Sequence, residues 1–506
     1  MADENFELPE LAEQYDIQQT DAGLTLNLGA PGEGREADEL APRGVSDELA
    51  PRGVSDEDLA ALAQVEAELN ARWPETAIDP SLERIELLMD FLGEPQKSYK
   101  VIHVAGTNGK TSTVRMVESL LRSFGNRVGR TTSPHLQSIT ERIGIDGEPI
   151  HPADFVRIYR EIEPYIQMVD ERTGVPMSYF EVMVGLAFAA FADAPVDVAV
   201  VEVGMGGRWD ATNVVDADVD VIMPVGLDHT DYLGDTIAEI AGEKAGIIRS
   251  ADAVAVIGQQ DPDAMRVILE RAVEIGTPVA RFGQEFGVAA SEVAVGGQTL
   301  TIKGLSGEYA DIFIPLSGPH QAHNAAVALA AVEAFLGASS ERTLDADTVR
   351  EGFAAATSPG RLERVRATPT TFIDATHNPH GAQALAAALE RDFDFTRLIG
   401  VLGVLGDKDA RGIMEALEPV LTEVVLTQNS SPRATDAYEL AETAREVFGD
   451  ERVHVEAHLP SAYQLAVELA EEALAEVGVQ SGSGVLITGS VVTAGEARAM
   501  FGKDPQ

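Results

Sequence analysis

The sequence predicts an α/β protein with two lobes, each built around a largely parallel sheet. From about residue 57 to the end, stretches with helical periodicity alternate with short apolar stretches, as they do in βαβ folds. Apolar stretches such as 196–203 (VDVAVVEV) are largely hydrophobic at successive positions, which indicates strands covered on both faces. The alternation stops at residues 357–360 (TSPG) and then restarts, so we place a domain boundary there.

The first 56 residues are expected to be an acidic extension. They are rich in Asp, Glu, Gly and Pro, and the nine-residue stretch 39–47 (ELAPRGVSD) is repeated letter for letter at 48–56. A packed core does not need both copies of such a repeat, and no apolar period persists there. We therefore predict a mostly disordered extension that carries a short strand at 24–28.

Residues 57–357 are expected to form the central domain. We predict its strands at 99–105, 196–203 and 218–225, and its helices at 58–72, within 78–92, at 111–124 and at 321–336.

Residues 358–506 are expected to form a C-terminal Rossmann-like domain. We predict its strands at 371–374, 398–404, 423–427, 453–456 and 485–488, and its helices at 381–391, 410–420, 437–447 and 461–475. Ligands of open α/β sheets bind beyond the carboxyl ends of the strands. The cleft between the two domains is therefore where we expect the functional site.

The charge balance excludes several classes of partner. The 506 residues include 83 acidic and 37 basic side chains, which gives a formal net charge of -46. Such a field repels nucleic acids and anionic membranes. Only 7 of the 37 basic residues are Lys, and this scarcity together with the acid excess is typical of a halophile, the alternative being an acidic protein of an ordinary cytoplasm.

Several simple features point to a cytoplasmic protein. The chain contains no Cys, which excludes disulfides, a thiol nucleophile and cysteine metal sites. We find no apolar run long enough to span a membrane and no basic-then-apolar start typical of a secretory signal. We therefore expect a cytoplasmic location.

The first chemical motif is a glycine-containing turn between a predicted strand and a predicted helix. Its residues are Gly106, Thr107, Asn108, Gly109, Lys110, Thr111 and Ser112. Glycines let backbone N–H groups turn toward a phosphate, and the helix N-terminus adds partial positive charge. Lys110 can neutralise the terminal phosphates and a following hydroxyl can hold Mg²⁺. The strict P-loop has a further Gly where this chain has Val104, and the alternative is an ordinary βα turn.

Three polar residues follow predicted strands close to this loop. They are Ser133, Glu202 and His229, and an oxygen-rich set with one imidazole suits Mg²⁺ or Mn²⁺ better than zinc. The alternatives are a helix-capping or salt-bridged Glu202 and a structural His229. Lys244 lies in a helical EKAGI segment, where the alternative to a functional lysine is a surface pair with Glu243 or Glu239.

An ordered series of motifs extends from about residue 57 to 500. It comprises SPHL at 133–136 with ERI at 141–143, SYFE at 178–181, EVGMGGRWDATN at 202–213, LDH at 227–229, EKAGI at 243–247, GPHQ at 318–321 with Asn324, PGR at 359–361, DATHNP at 374–379 and TGS at 488–490. With the G-T-N-G-K-T loop, this series resembles the folylpolyglutamate synthase/dihydrofolate synthase family of the Mur ligase superfamily. The resemblance implies an N-terminal P-loop-type ATP-binding domain.

The resemblance also implies roles for individual residues. Lys110, Glu202, His229 and Lys244 would be catalytic, and Ser133, Glu202 and His229 would bind Mg²⁺, with Thr111 or Ser112 contributing at the phosphate. Lys244 would be carbamylated and would hold a second metal ion. Asn324, Arg361 and Asp374 would contact ATP, and His377 would line the same site. For Arg361 the alternative is a linker cap, and for Asp374 an Asx-turn.

The pterin substrate is implied by the resemblance alone. The positions that match the family's dihydropteroate contacts are Ile78, Asp79, Pro80, Ser178, Tyr179, Phe180, Glu181, Trp209, Asp210 and Ala211. Three residues depart from the family pattern: Thr111 replaces a usual Gly, Trp209 a usual Leu and Ser178 a usual Thr.

The expected activity is that of an ATP-dependent acid–amino-acid ligase. A substrate carboxylate would attack the γ-phosphate to give an acyl phosphate, and the amine of L-glutamate would then displace phosphate. The expected partners are glutamate and a pteroate or folate, and we expect a monomer. The alternatives are a Mur-type ligase that acts on a UDP-linked acceptor and a non-catalytic ATP-dependent switch. The first needs a UDP-binding domain, for which residues 1–56 are too short and too polar.

Overall fold

Two sheets with helices on both faces organise residues 53–506 of the computed structural model. The structure describes residues 16–20, 23–27, 53–74, 79–477 and 482–506. The predicted site residue Ile78 lies outside these ranges. Most of the extension that we expected to be disordered also lies outside them. In the described part of the chain, no helix is both long and apolar enough to cross a membrane.

The two strands in the extension form an antiparallel hairpin by themselves. They are β1 (Asp16–Thr20) and β2 (Gly23–Asn27), and Asp16 pairs with Asn27. The strand expected at 24–28 corresponds to β2, apart from residue 28, which lies outside the described residues.

The first lobe, residues 53–357, contains most of the secondary structure. Its helices are α1 (Asp56–Asn70), α2 (Glu83–Phe91), α3 (Lys110–Ser123), α4 (Pro152–Thr173), α5 (Tyr179–Asp193), α6 (Thr230–Leu233), α7 (Ile237–Lys244), α8 (Pro262–Ile275), α9 (Pro319–Phe335) and α10 (Ala346–Ala354). Its strands are β3 (Lys100–Ala105), β4 (Val128–Thr131), β5 (Ile143–Ile145), β6 (Glu148–Pro149), β7 (Val198–Glu202), β8 (Val219–Ile222), β9 (Val254–Ile257), β10 (Val279–Arg281), β11 (Gly287–Ala294), β12 (Gly297–Lys303) and β13 (Glu308–Ile314).

Eight of these strands form one sheet in the order β10-β9-β8-β3-β7-β4-β5-β6. The first six run parallel, and β5 and β6 add an antiparallel edge. Val104 pairs with Glu202 and Ala105 with Ile222, so the carboxyl ends of β3, β7 and β8 meet at one edge. Strands β11–β13 form a separate antiparallel sheet.

The second lobe, residues 358–506, has its own six-stranded sheet. Its strands are β14 (Glu363–Ala367), β15 (Thr370–Ile373), β16 (Arg397–Leu402), β17 (Glu423–Gln428), β18 (Val453–His458) and β19 (Ser483–Thr488). Its helices are α11 (Pro379–Asp392), α12 (Ala410–Leu417), α13 (Ala437–Phe448), α14 (Leu459–Val477) and α15 (Val491–Met500). The strand order is β14-β15-β19-β16-β17-β18, and every pair except β14–β15 is parallel.

The continuous apolar strands are explained by two cores, one on each face of a sheet. On β7, Val198 and Val200 pack into one hydrophobic cluster, whereas Ala199 and Val201 pack into another. Successive side chains of a strand point to opposite faces, so a sheet with both faces covered needs apolar residues at every position. The same division holds for β16 of the second lobe.

The predicted helices and strands are present, with ends that differ by up to a few residues. The sequence analysis did not identify the strands β4, β5, β6, β9, β10 and β14, the antiparallel sheet of β11–β13, or the helices α4, α5, α6, α8, α10 and α15. Strand β11 has no buried residue, so its sequence lacks the apolar run that marked the parallel strands. Residues 357–360 lie between α10 and β14, and the domain boundary placed there stays a prediction.

Candidate active site

The turn between β3 and α3 requires glycine at two positions. Gly106 has φ +149°, and a Cβ atom there would lie 2.4 Å from Cβ of Met223 on the neighbouring β8–α6 connection. Gly109 has φ +85°, and a Cβ atom there would lie 2.6 Å from Oδ1 of Asn324. L-residues with side chains rarely adopt these backbone angles. The predicted glycine loop is therefore fixed both by its conformation and by close packing.

Thr107 ties this loop to the next strand of the sheet. Its backbone N–H donates to the Pro224 carbonyl at 3.0 Å, and its hydroxyl donates to the Gly226 carbonyl at 3.1 Å. The hydroxyl also accepts from the Gly226 N–H at 3.0 Å. These bonds hold the loop beside the carboxyl end of β8.

Two lysines converge on the carbonyl oxygen of Gly106. Nζ of Lys110 donates to this oxygen at 3.2 Å, and Nζ of Lys244 donates to it at 2.9 Å. Lys244 is only 5% exposed, and burial together with the nearby Lys110 charge lowers its pKa to about 7. The alternative of a surface pair with a neighbouring glutamate is therefore wrong, because the amine points into the cleft.

Glu202 ends β7 and faces the same loop. Its side chain is buried, and both carboxylate oxygens lie 3.0 Å from the Thr111 hydroxyl, which donates to them. The backbone N–H of Ser133 also donates to this carboxylate. Burial raises the pKa of Glu202 above its ordinary value of 4.5, although the Lys110 charge and the Thr111 bond act in the opposite direction.

The two hydroxyls after Lys110 point to different places. Thr111 contacts Glu202, whereas the Ser112 hydroxyl lies 2.9 Å from the Ser358 hydroxyl and accepts from Nε2 of Gln321 at 3.3 Å. Of the two hydroxyls that the sequence offered for a metal ion, the structure thus brings Thr111 to the carboxylate and Ser112 to the lobe boundary.

His229 lies just before α6 with a left-handed backbone, φ +51°. Burial lowers the pKa of its ring to about 4; Asp228 acts in the opposite direction, and the nearby cations Lys408, Lys110 and Lys244 act in the same direction as burial. The ring is therefore neutral near pH 7 and can act as a nitrogen ligand. The adjacent Asp228 has a lowered pKa despite its burial, because His229 and Lys408 outweigh the burial cost.

Side chains of the second lobe reach directly across the cleft. Asn378, which caps α11, donates to Oδ1 of Asn108 and to Oδ2 of Asp228, each at 3.2 Å. Nδ2 of Asn108 also lies 2.6 Å from Nδ1 of His380. Nζ of Lys408 lies 3.6 Å from Oδ1 of Asp228. The two strand-end edges therefore face one another across a shared polar site.

Asp374 and His377 have structural partners within this region. The Asp374 carboxylate accepts from the backbone N–H groups of Leu362 at 2.7 Å and Thr376 at 2.8 Å, which is the Asx-turn that the sequence offered as its alternative role. Nδ1 of His377 bonds to the Ala375 carbonyl at 3.0 Å, and burial lowers the pKa of its ring.

Arg361 and Asn324 lie on the lobe-boundary side of the cleft. Arg361 lines a cavity of about 380 Å³ together with Ser358 and Pro359, and its charge acts on Glu202. Nδ2 of Asn324 donates to Oε1 of Gln321 at 3.1 Å, beside the loop glycine Gly109.

Five residues in the cleft were not assigned a role from the sequence: Asp228, His320, Asn378, His380 and Lys408. The charge of the partly buried His320 is influenced by Asp374 and Arg361, and in the described part of the chain its buried Nδ1 atom has no hydrogen-bond partner. The GPHQ motif was a signal for it. Lys408 was visible only as one of 7 lysines in an acidic chain.

The predicted pterin-contacting residues fall into three segments beside the cleft. Arg84 joins two of them, because it donates to Asp79 at 2.7 Å and to Glu181 at 3.0 Å. The ring of Phe180 packs over Gly204, and the indole of Trp209 lies beside Gly206.

Four of the predicted pterin-contacting residues make contacts that support the local structure, and two differ in their exposure to solvent. Ser178 and Glu181 form the capping box of α5, and Asp210 accepts from the Met205 N–H at 2.8 Å. The guanidinium of Arg142 lies over the ring of Tyr179. Pro80 is exposed and Ala211 is buried.

The donors around Glu202 suit a hard cation more than a zinc-type site. Among the residues that the structure describes, no group of three or more His, Cys, Asp or Glu side chains is placed to hold a metal ion. The predicted set instead combines one buried carboxylate with hydroxyls and one neutral imidazole. Oxygen donors of this kind fit Mg²⁺ beside a phosphate.

Comparison with known proteins gives two matches to protein families. Residues 168–332 match the Mur ligase middle domain, and residues 360–491 match the Mur ligase glutamate ligase domain.

Individual relatives cover most of the chain. The dihydrofolate synthase/folylpolyglutamate synthase of Mycobacterium tuberculosis is 58% identical over 466 residues, which are 89% of this chain and 96% of that protein. The structure of the Mycobacterium tuberculosis folylpolyglutamate synthase complexed with ADP superposes with a TM-score of 0.85, 58% identity and coverage of 89% of this chain and 100% of that chain. The Escherichia coli FolC structure in complex with DHPP and ADP has a TM-score of 0.74 and is 32% identical. The match covers 87% of this chain and 97% of that chain. The mycobacterial relative gives no support to the expected halophilic source.

Proposed function

The chain belongs to the dihydrofolate synthase/folylpolyglutamate synthase family of the Mur ligases, and from this premise we propose that its interlobe cleft joins L-glutamate to a pteroate or folate carboxylate at the expense of ATP. One observation carries the proposal. Asn378 of the second lobe donates to Asn108 of the glycine loop and to Asp228, and Lys408 pairs with Asp228. On the first-lobe side, Thr111 of the loop contacts Glu202, and the buried Lys244 donates to the Gly106 carbonyl. The relatives whose structures contain ADP share this fold.

The reaction follows the order implied by a carboxylate activated with ATP. An oxygen of the substrate carboxylate bonds to the γ-phosphorus while the bond to the β,γ-bridging oxygen breaks, which yields an acyl phosphate and ADP. The amine of L-glutamate then bonds to the acyl carbon, the carbon–oxygen bond to phosphate breaks, and the amine loses a proton. Phosphate and the amide are the products.

The residues of the first lobe supply positioning and charge for phosphoryl transfer. The ammonium group of Lys110 lies at the loop, where it can neutralise charge that develops on the transferring oxygens. The Gly106 and Gly109 turn brings the backbone close enough to contact phosphate oxygens. Arg361 would add a cation from the second lobe.

We propose that two Mg²⁺ ions serve this site. Glu202, the Thr111 hydroxyl, Ser133 and the neutral His229 ring would hold the first, because they offer oxygen atoms and one unprotonated nitrogen near the loop. Bound Mg²⁺ supplies positive charge to the phosphate oxygens.

Carbamylation of Lys244 is the finer part of this proposal. The amine must be neutral to bond to the carbon of CO₂, and the resulting carbamate loses one proton from nitrogen. A pKa of about 7 leaves a large neutral fraction at physiological pH, in contrast to an exposed lysine. On carbamylation, the ammonium group would no longer donate to the Gly106 carbonyl. The carbamate would instead offer anionic oxygen atoms to the second Mg²⁺ ion.

Substrate preference, location and assembly complete the proposal. The segments around Asp79, Phe180 and Trp209 would form the pterin site, with dihydropteroate or a reduced folate as acceptor. We propose a cytoplasmic monomer, since ATP is available in the cytoplasm. The net charge of -46 supports adaptation to concentrated salt.

The test is ADP release by the purified protein in molar KCl with Mg²⁺. We expect release only when L-glutamate is present together with dihydropteroate or tetrahydrofolate, and a comparison of these two acceptors assigns the preference. Release with a UDP-muramyl peptide acceptor instead would overturn the pterin assignment. ATP hydrolysis that is indifferent to every acceptor would favour a switch over a ligase.

A further inference from the structure

The guanidinium group of Arg498 on α15 is buried between the two lobes. Its side chain is 1% exposed, Nε donates to Oε2 of Glu363 at 2.8 Å in the second lobe, and Nη1 donates to Oε1 of Gln137 in the first. An Arg presents several donors in a fixed planar arrangement, so one side chain can hold two acceptors at a set separation. Arg498 therefore joins a residue of each lobe.

On the side of the second lobe, Glu363 fixes the turn that carries Arg361. The Oε2 atom that accepts from Arg498 also accepts from the backbone N–H of Gly360 at 2.8 Å. The Gly360 carbonyl in turn accepts from the Ala375 N–H at 2.8 Å. The residue that precedes Arg361 is thus held from both sides, and one of these bonds depends on the carboxylate that pairs with Arg498.

On the side of the first lobe, Gln137 belongs to the loop that begins at Ser133. Glu141 fixes this loop by accepting from the N–H groups of Leu136 at 2.7 Å and Gln137 at 3.1 Å. The backbone N–H of Ser133, at the other end of the loop, lowers the pKa of Glu202, so this end of the loop lies beside the carboxylate. The loop therefore connects the buried arginine with the carboxylate opposite the glycine loop.

Close backbone packing reinforces this connection. A Cβ atom on Gly495 of α15 would lie 1.9 Å from the Leu136 carbonyl oxygen, and one on Gly360 would lie 3.2 Å from the Leu136 side chain. Helix α15 and the turn before Arg361 therefore both pack against Leu136. The lobes have little freedom to slide here.

We propose that Arg498 is a positioning residue that sets the place of Arg361 relative to Glu202 and the glycine loop. It acts through Glu363 and Gln137 and touches no reacting atom. This proposal depends on one part of the proposed function, namely that Arg361 contacts the bound nucleotide. Misplacement of a charged group by a fraction of an ångström reduces the stabilisation of transferring charge.

The first test uses the non-hydrolysable analogue AMPPCP with Mg²⁺ and needs no pterin substrate. We expect Gln137→Ala to weaken AMPPCP binding about fivefold and Arg361→Ala to weaken it more. The double variant should lose no more than Arg361→Ala alone, because the two changes act through the same group. Gln137→Ala with wild-type affinity, or an additive double variant, would overturn the proposal.

The second test separates positioning from stability. Arg498→Lys should lower kcat about tenfold while the KM for the pterin acceptor stays within twofold. The control is Arg397→Lys, since Arg397 pairs with Glu423 at 2.5 Å within the second lobe only. If kcat per folded molecule falls equally in the control, or stays within twofold in Arg498→Lys, the positioning role is wrong. Absence of turnover in the wild-type protein would instead count against the proposed function.

Discussion

Two strand-to-helix turns face one another across the cleft, and they are fixed by different means. The β3–α3 turn of the first lobe depends on glycine conformation, and two lysines bond to its Gly106 carbonyl. The β15–α11 turn of the second lobe is held by side-chain oxygens, because Asp374 accepts from the Thr376 N–H and Asn378 from the Gly381 N–H at 2.7 Å. A strand-to-helix turn can thus be suited to binding an anion, or it can keep its own backbone in a fixed conformation.

The difference predicts that substitution of the lysine of the first turn reduces catalysis with little effect on folding, whereas substitution of the capping asparagine of the second turn affects both.

Lys110→Ala should have the largest effect on turnover. Removal of the ammonium group from the loop should lower kcat by about 10²–10³-fold, as loss of one preorganised charge-stabilising donor does in other enzymes. The measurement is ADP release, with the thermal unfolding midpoint as the check on folding. The control is Lys97→Ala, since Lys97 is half exposed and pairs with Glu94 away from the cleft. Near-normal turnover of the Lys110 variant would show that the loop is not the phosphate site.

Glu202→Gln should lower kcat about 10²-fold and raise stability. The pKa of Glu202 is raised in the folded protein, so its ionised form destabilises the fold above that pKa. The gain in stability of the variant should be present at pH 7–8, shrink as the pH falls through the raised pKa of the folded state, and disappear below 4.5, where the wild-type carboxyl is protonated in both states. Thermal unfolding of both proteins across this pH range measures the gain. A variant that is less stable at pH 8 would contradict the expectation.

Asn378→Ala should affect activity and stability together. The change removes the bonds to Asn108 and Asp228 and the cap on the Gly381 N–H. Loss of the cap should cost about 1 kcal/mol of unfolding free energy. We expect kcat to fall about tenfold, which ADP release and denaturant titration would measure in parallel. Asp436→Ala is a suitable control, because Asp436 caps α13 of the same lobe. A comparable loss of kcat in the control would show that capping, not the contact across the cleft, explains the effect.

Deletion of residues 1–50 should have the smallest effect. Every cleft residue described above lies between 79 and 408, and the extension contains a duplicated stretch of which one copy is dispensable to any core. The kcat and KM values should stay within twofold of the full chain. A complete loss of activity would show that the extension takes part in the reaction.

The sequence predicted the central strands β3, β7 and β8 of the first sheet, five of the six strands of the second lobe and the glycine loop, and it did so for a physical reason. Strands buried on both faces must be apolar throughout, and a phosphate-binding turn needs glycine and a cation in adjacent positions. Both signals are local. Glu202 could be placed for the same reason, since it ends such a strand.

Contacts between distant parts of the chain could not be predicted in this way. Asn108 and Asn378 are 270 positions apart, and nothing in either local pattern indicates that they meet. Arg498 and Gln137 are separated by 361 positions. For Asp374 the sequence offered two roles, and only the structure shows that both its oxygens bond to backbone N–H groups.

The burial of Lys244 has a practical consequence for chemical labelling. Acylating reagents react only with unprotonated amines, and near neutral pH this amine is deprotonated far more often than Lys100, which is 68% exposed. In protein that is not carbamylated at Lys244, the reactivity of this amine is therefore limited by access and not by protonation. In a chain with 7 lysines, the rate at which this one is acylated should report how often the lobes separate.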